Sequence, residues 1–276
     1  MTERPHHLRT SIARNSGVGV RVAALVLVVA TVTVTRAESV AVRYLEGVSH
    51  GYLRLRTATG QVLADGEMLQ HRRGARVISR MIFRFRDGSR FDETTVFLQQ
   101  RQFRLVSDHV VQRGPAFPQP MDTSIDASSG NVTVRYRDHD GKEKVETEHL
   151  DLPGDLANGM IQTLLKNVNP KAPPQSFAYV ASTPKPRLIK LVISTAAPDR
   201  VAGGGVTSTA THYVLKVDIG GLTGALASVL GKDPPDSHVW VVGGEAPGFV
   251  GAMMPFYSDG PLWRIERAAP QLGTPK

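Results

Sequence analysis

The stretch Val77-Ile78-Ser79-Arg80-Met81-Ile82-Phe83-Arg84-Phe85-Arg86 decides the fold. Its side chains alternate, so Val77, Ser79, Met81, Phe83 and Phe85 share one face and Ile78, Arg80, Ile82, Arg84 and Arg86 the other. A period of two is the signature of a half-buried antiparallel strand. Leu53-Arg54-Leu55-Arg56 repeats it upstream. Between such runs stand Asp87-Gly88-Ser89, Ser129-Gly130-Asn131 and Asp140-Gly141, residues that tolerate positive φ or bond their own backbone. Residues 52–145 therefore read as a β-meander, with a hairpin over Tyr136–Val145. The proline-rich Gly114–Pro120 cannot be a central strand and reads as a loop.

Outward from this region the period changes once. Leu156, Met160, Ile161, Leu164, Leu165 and Val168 form one stripe, with Pro153 ahead and Asn169-Pro170 behind, which predicts an amphipathic helix over 155–168. Strands are expected again at 176–181, 188–194, 212–219, 238–242, 249–257 and 262–267. A second short helix is expected over 222–230, stopped by Gly231. The fold class is mainly β (α+β): a large curved antiparallel sheet or partial barrel with one or two amphipathic helices packed on it.

The N-terminus reads as an address. Arg4, Arg9, Arg14 and Arg21 precede the apolar run Val22–Val34, followed by Thr35-Arg36-Ala37. A basic segment, a short apolar run and an alanine at the cleavage position describe a secretory signal peptide over 1–37. The run is shorter than the ~20 apolar residues a membrane-spanning helix needs. The 33 Lys+Arg and 25 Asp+Glu of the 276 residues give a net charge of +8, but the leader holds five of the bases and one acid. Cleavage leaves 28 bases, 24 acids and a net charge of +4. That weakens a nucleic-acid reading. The chain has no cysteine, which excludes disulfides, a thiol nucleophile and Cys-ligated metals. The expectation is an exported periplasmic or extracellular protein without a transmembrane segment after cleavage. A single β-rich domain spans 38–268, with one strand set in 38–170 and another in 171–268, and a loose tail over 269–276.

Catalytic motifs are weak. Gly47-Val48-Ser49-His50-Gly51 matches the nucleophile-elbow pattern, but too few residues precede it and a strand, not a helix, follows. Asp138-His139-Asp140-Gly141 lacks two ligands of a calcium loop. Gly220-Gly221-Leu222-Thr223-Gly224 lacks the spacing of a phosphate loop. Histidines 50, 71, 109, 139, 149, 212 and 238 form no helical metal pair. Asp92-Glu93 and Ser107-Asp108-His109 juxtapose catalytic residue types, but strand neighbours point to opposite faces, so these read as surface polar residues. The arginines at 54, 56, 80, 84, 86, 90, 101, 104, 135 and 137 make a ladder in the first β-region, read as a solvated face. No catalytic residue, metal site or cofactor is assigned.

A meander wrapped on an amphipathic helix, with further strands completing the sheet, resembles the periplasmic lipoprotein-carrier superfamily and related exported bacterial proteins. The resemblance spans most of 40–268 and is one of layout, so no functional residue is carried over. It implies a concave face that holds acyl chains, with the helix as plug or lid. The matching ligand-binding residues would be Phe83, Phe85, Phe97, Phe103, Met160, Ile161, Leu164 and Leu165. The function expected is non-enzymatic binding of a lipid or other apolar or amphipathic small molecule in a β-cavity. The alternatives are an envelope protein that binds a protein partner through a sheet edge or the arginine face, and a hydrolase without a local motif.

Overall fold

The computed structural model describes residues 39–138, 140–203, 206–218 and 234–269, and they form one curved antiparallel sheet. The leader 1–37, the glycine-rich turn 220–224, the helix over 222–230 and His139 lie outside these residues, as does the tail from 270.

Eight strands make the first meander: β1 (Ser49–Thr57), β2 (Val62–Arg73), β3 (Arg76–Phe85), β4 (Arg90–Gln99), β5 (Phe103–Arg113), β6 (Met121–Asp126), β7 (Asn131–Arg137) and β8 (Glu143–His149). Each pairs with its predecessor. The second set is β9 (Gln175–Ala181), β10 (Arg187–Thr195), β11 (Asp199–Gly203), β12 (Val206–Asp218), β13 (Ser237–Val242), β14 (Gly248–Met254) and β15 (Trp263–Ala268). The two sets fuse where β15 returns to β1, with Leu55 opposite Ile265 and Thr57 opposite Trp263. The order across the sheet runs from β8 back to β1, then through β15, β14, β13, β12 and β10 to β9, with β11 on the far part of β12. β8 and β9 are the two ends, so the sheet curls without closing into a barrel.

The alternation read at Val77–Arg86 sets the concave side. Val77, Met81, Phe83 and Phe85 are buried, whereas Arg80, Arg84 and Arg86 are exposed. Phe83, Phe97, Phe103, Phe117 and Phe177 are among the largest fully buried side chains. Phe83 lies across β2 at Gly66, where a Cβ would come within 2.5 Å of the Ile82 carbonyl oxygen and strike the Phe83 ring. Gly114–Pro120 is the loop between β5 and β6, and its Phe117 stacks edge-on against Phe85 at 5.4 Å and Trp263 at 6.0 Å.

The helix expected over 155–168 is shorter: α1 covers Ile161–Asn167. Gly159 adopts φ 63°, a left-handed conformation that stops a right-handed helix from extending back through it. The preceding residues serve β9 instead. Ala157 N–H donates to the Ala178 carbonyl at 2.9 Å. The Asn158 side chain donates to the Val180 carbonyl at 2.9 Å and accepts from the Val180 N–H at 2.8 Å. The outer edge of β9 is thus partly covered by side chain and loop. Leu156, Met160, Leu164 and Leu165 are buried all the same, so the stripe marks the core face correctly although half of it is not helical. The strand expected over 249–257 stops at Met254, because Pro255 lacks a ladder donor.

Candidate functional site

The curl brings β3–β5 of the first strand set and β9, β10 and β12 of the second over a common cavity of about 230 Å³. Met81, Phe91 and Val110 line it from β3, β4 and β5, and Tyr179, Ile189, Leu191, Leu215 and Val217 from β9, β10 and β12. Ile161 of α1 and the Met254–Asp259 connection complete the wall. Phe91 and Phe256 meet edge-on at 4.9 Å, and Phe256 touches the Trp263 ring at 5.2 Å. The lining is largely apolar, the form small-molecule sites usually take.

Two carboxyls stand at the inner end. Glu93 of β4 lines the cavity, and its neighbour on the same face, Thr95, donates to Asp108 of β5 at 2.8 Å. Asp108 points inward because of a bulge. Opposite Val96 and Phe97 the register shifts from Ser107 to Leu105, so Val106 is an extra residue. That residue reverses the alternation, placing Leu105 and Asp108 on one face where unbroken pairing would place Ser107. Gly159 closes over the pair, and a Cβ there would come within 2.7 Å of Asp108 Oδ1.

Desolvation governs the chemistry of these acids. Burial, and then the negative charge of Asp108, holds the Glu93 carboxyl well above the ordinary glutamate range. Burial raises Asp108 to about 6 against the opposing hydrogen bond from Thr95. Burial, with the charges of Glu93 and Asp108 behind it, also pushes the Tyr179 phenol up. Both carboxyls are therefore held toward their neutral form. Among the described residues lining the cavity, the ones with full charges are Glu93 and, at the rim, Asp259. Both are acids.

Glu93 also borders a smaller chamber of about 30 Å³ shared with Gln70, Ser79, Thr95, Gln162 and Lys166. That is space for about one or two waters. Lys166 is spent there on an ion pair with the buried Glu46, whose other oxygen accepts from Gln70 at 2.8 Å. The Gln162 Oε1 is buried with no donor.

The outer face of the same strands is built the opposite way. Arg54 pairs with Asp65 at 3.1 Å, Arg56 with Glu266 at 2.8 Å and Arg84 with Glu67 at 3.0 Å. Arg80 reaches Asp92 at 2.7 Å, and Arg90 pairs with the same carboxylate. Burial works to raise Asp92, but the hydrogen bonds from Arg80 and Arg90 outweigh it and hold the group below the usual range. Half of the arginine ladder is thereby neutralised across strands.

Of the residues proposed from the sequence, Ile161 lines the cavity. Phe83, Phe85, Phe97, Phe103, Met160, Leu164 and Leu165 are buried in the core. Phe83 stands behind the lining rings, 5.7 Å from Phe256 and 6.4 Å from Phe91. Glu93 and Asp108 were read as surface polar residues, and the structure corrects this. For Glu93 the signal was present, since Phe91, Glu93, Thr95 and Phe97 alternate on one face and two of the four are phenylalanine. For Asp108 it was hidden by the bulge. The opposite-face argument itself holds: Asp92 and His109 point outward, His109 bonding Asp122 at 2.8 Å.

The other motifs resolve simply. Asp138–Gly141 is a hairpin tip in which Asp138 Oδ1 accepts from the Asp140 and Lys142 N–H groups. Ser49 and His50 begin β1, and His50 bonds Glu67 at 3.1 Å. His212 and His238 meet on the outer face at 2.9 Å, beside Trp240 and Asp199. Among the described residues no group of three or more His, Asp or Glu is placed to hold a metal ion, and no helix is long and apolar enough to cross a membrane. No family model, curated protein or solved structure matches the chain.

Proposed function

We propose that this protein is a non-enzymatic, exported binding protein that holds a small apolar or amphipathic molecule in the cavity between its two strand sets. The observation that carries the reading is the cavity itself. About 230 Å³ lined by residues from eight strands and the helix is space that core packing leaves unfilled. At ~30 Å³ per heavy atom it takes a ligand of about eight such atoms, or one end of a longer chain. Export is supported by the leader sequence. No histidine is among the described residues lining the cavity, so a Ser–His pair for acyl hydrolysis is not assembled there.

The partner-binding alternative has less behind it. β9 has part of its edge covered by Ala157 and Asn158, and β8 carries Glu143, Lys144, Glu146 and Glu148, charges that oppose edge-to-edge pairing. The test is native mass spectrometry of the protein purified from an exporting host, followed by solvent extraction. A bound small molecule released on denaturation is expected. A protein that is ligand-free, and whose melting temperature no amphiphile raises, would contradict the reading.

A further inference from the structure

The polar groups left without partners around the cavity are all of one kind. Among the described residues none donates a hydrogen bond to the Glu93 carboxyl, although it borders both the cavity and the small chamber. The Gln162 Oε1, in the chamber wall, is a buried acceptor without a donor. Asp108 receives a single hydrogen bond, from Thr95. Each of these asks for a donor. The nearest protein cation bordering them, Lys166, is committed to Glu46.

The electrostatics point the same way. A basic chain, net +4 without the leader, lines this cavity, among the described residues, with acids and no base. The outer face shows that this sequence readily places arginine against aspartate where neutralisation within the fold is all that is needed. Around the acids lie Phe91, Tyr179, Phe256 and Tyr257, rings whose π faces attract organic cations. A hydrated metal ion has little to gain from such a wall.

We propose that the cavity binds an organic ammonium ion, a primary amine carried on a short hydrocarbon. Its N–H donors serve Glu93 and the acceptors next to it, and its chain lies over Ile161, Ile189, Leu191 and Leu215. A primary ammonium offers three donors and one positive charge, matching the Glu93 carboxyl in the wall and the Gln162 oxygen of the chamber that Glu93 also borders. This inference rests on the ligand-binding reading and specifies the ligand's class.

The cation has to displace protons. The groups facing it are Glu93 on β4, Tyr179 on β9 and Asp259 at the rim, with Asp108 of β5 buried outside the lining and bonded to Thr95, and Lys166 of α1 in the chamber beside Glu93 and paired to Glu46. Asp108 is raised to about 6 and Glu93 lies above its usual range, so amine binding strengthens as pH rises from 5 to 8 and releases protons.

The experiment is isothermal titration of the purified protein with n-octylammonium, n-octanol, octanoate and calcium chloride, at pH 5 and pH 8. Octylammonium is expected to bind at least tenfold more tightly than octanol at pH 8, and more tightly at pH 8 than at pH 5. Glu93→Gln is expected to remove that preference while leaving octanol binding within about twofold. Circular dichroism of the variant verifies that it is folded, and an unfolded Glu93→Gln is replaced by Gln162→Leu, which is expected to weaken octylammonium but not octanol. Octanol or octanoate binding as tightly as the amine overturns the proposal and leaves the cavity reading standing. Calcium binding in place of the amine overturns it too. Binding of none of the four overturns both readings.

Discussion

Asp92 and Glu93 are neighbours in sequence and opposites in environment. Asp92 faces out and is held ionised by two arginines. Glu93 faces in, has no donor among the described residues and is pushed toward its neutral form. One step along a strand separates an acid whose charge is satisfied by the fold from an acid that the fold leaves open. Cross-strand pairing does for the outer face what water would otherwise do, so its charges cost little and contribute little. The inner pair carries a burial cost that the fold offsets only at Asp108, through Thr95, and a strongly perturbed acid in a cleft is a candidate for a binding site.

Four substitutions break or sharpen this contrast, beginning with the largest effect. Gly159→Ala attacks the closure over the inner pair. It forces a non-glycine residue to φ 63° and drives a Cβ to within 2.7 Å of Asp108 Oδ1. A loss of about 3 kcal/mol in urea unfolding is expected, from left-handed strain plus overpacking.

Asp108→Asn removes the cost of the inner charge. A carboxyl raised from 3.8 to about 6 contributes its full stability below the unfolded value and loses it as pH rises through the folded one. The asparagine has no proton to lose, and its Oδ1 still accepts from Thr95. The variant should match the parent near pH 4 and exceed it at pH 8 by about 2–3 kcal/mol, read from unfolding curves at both pH values.

Asp92→Asn makes the parallel change outside, with the opposite sign. Its folded-state value is lowered, so its contribution is present above the unfolded value and lost as pH falls. The variant should lose about 1 kcal/mol at pH 7 and approach the parent below pH 3, as thermal melts at both pH values will register. Arg84→Ala removes an exposed partner of Glu67 and should cost only a few tenths of a kcal/mol, shrinking further in 0.5 M salt.

The fold was legible where side chains repeat. Alternation at Val77–Arg86 placed Met81, Phe83 and Phe85 on the concave face, and Asp140-Gly141 marked the hairpin that joins β7 to β8. The stripe from Leu156 to Val168 announced burial but overstated the helix, because periodicity cannot register that Gly159 turns left-handed or that Asn158 bonds β9. The candidate site was half legible. Glu93 sits in phase with Phe91 and Phe97 and could be read inward from them. Asp108 could not, since a one-residue bulge at Val106 reverses its phase and leaves no mark in composition or spacing. That Tyr179 meets these acids follows from the curl of a sheet in which β4 and β5 are far from β9 in pairing order. Long-range closure of that kind is not written in local periodicity.

The most direct test of the contrast is a carboxyl carbon NMR titration of the protein, free and saturated with octylammonium. Free protein should show Asp92 titrating below the normal aspartate range, Asp108 near 6 and Glu93 above the normal glutamate range. With the amine bound, the two inner groups should fall while Asp92 stays where it was. Ordinary values for Glu93 and Asp108 in the free protein, unmoved by the amine, would contradict the account.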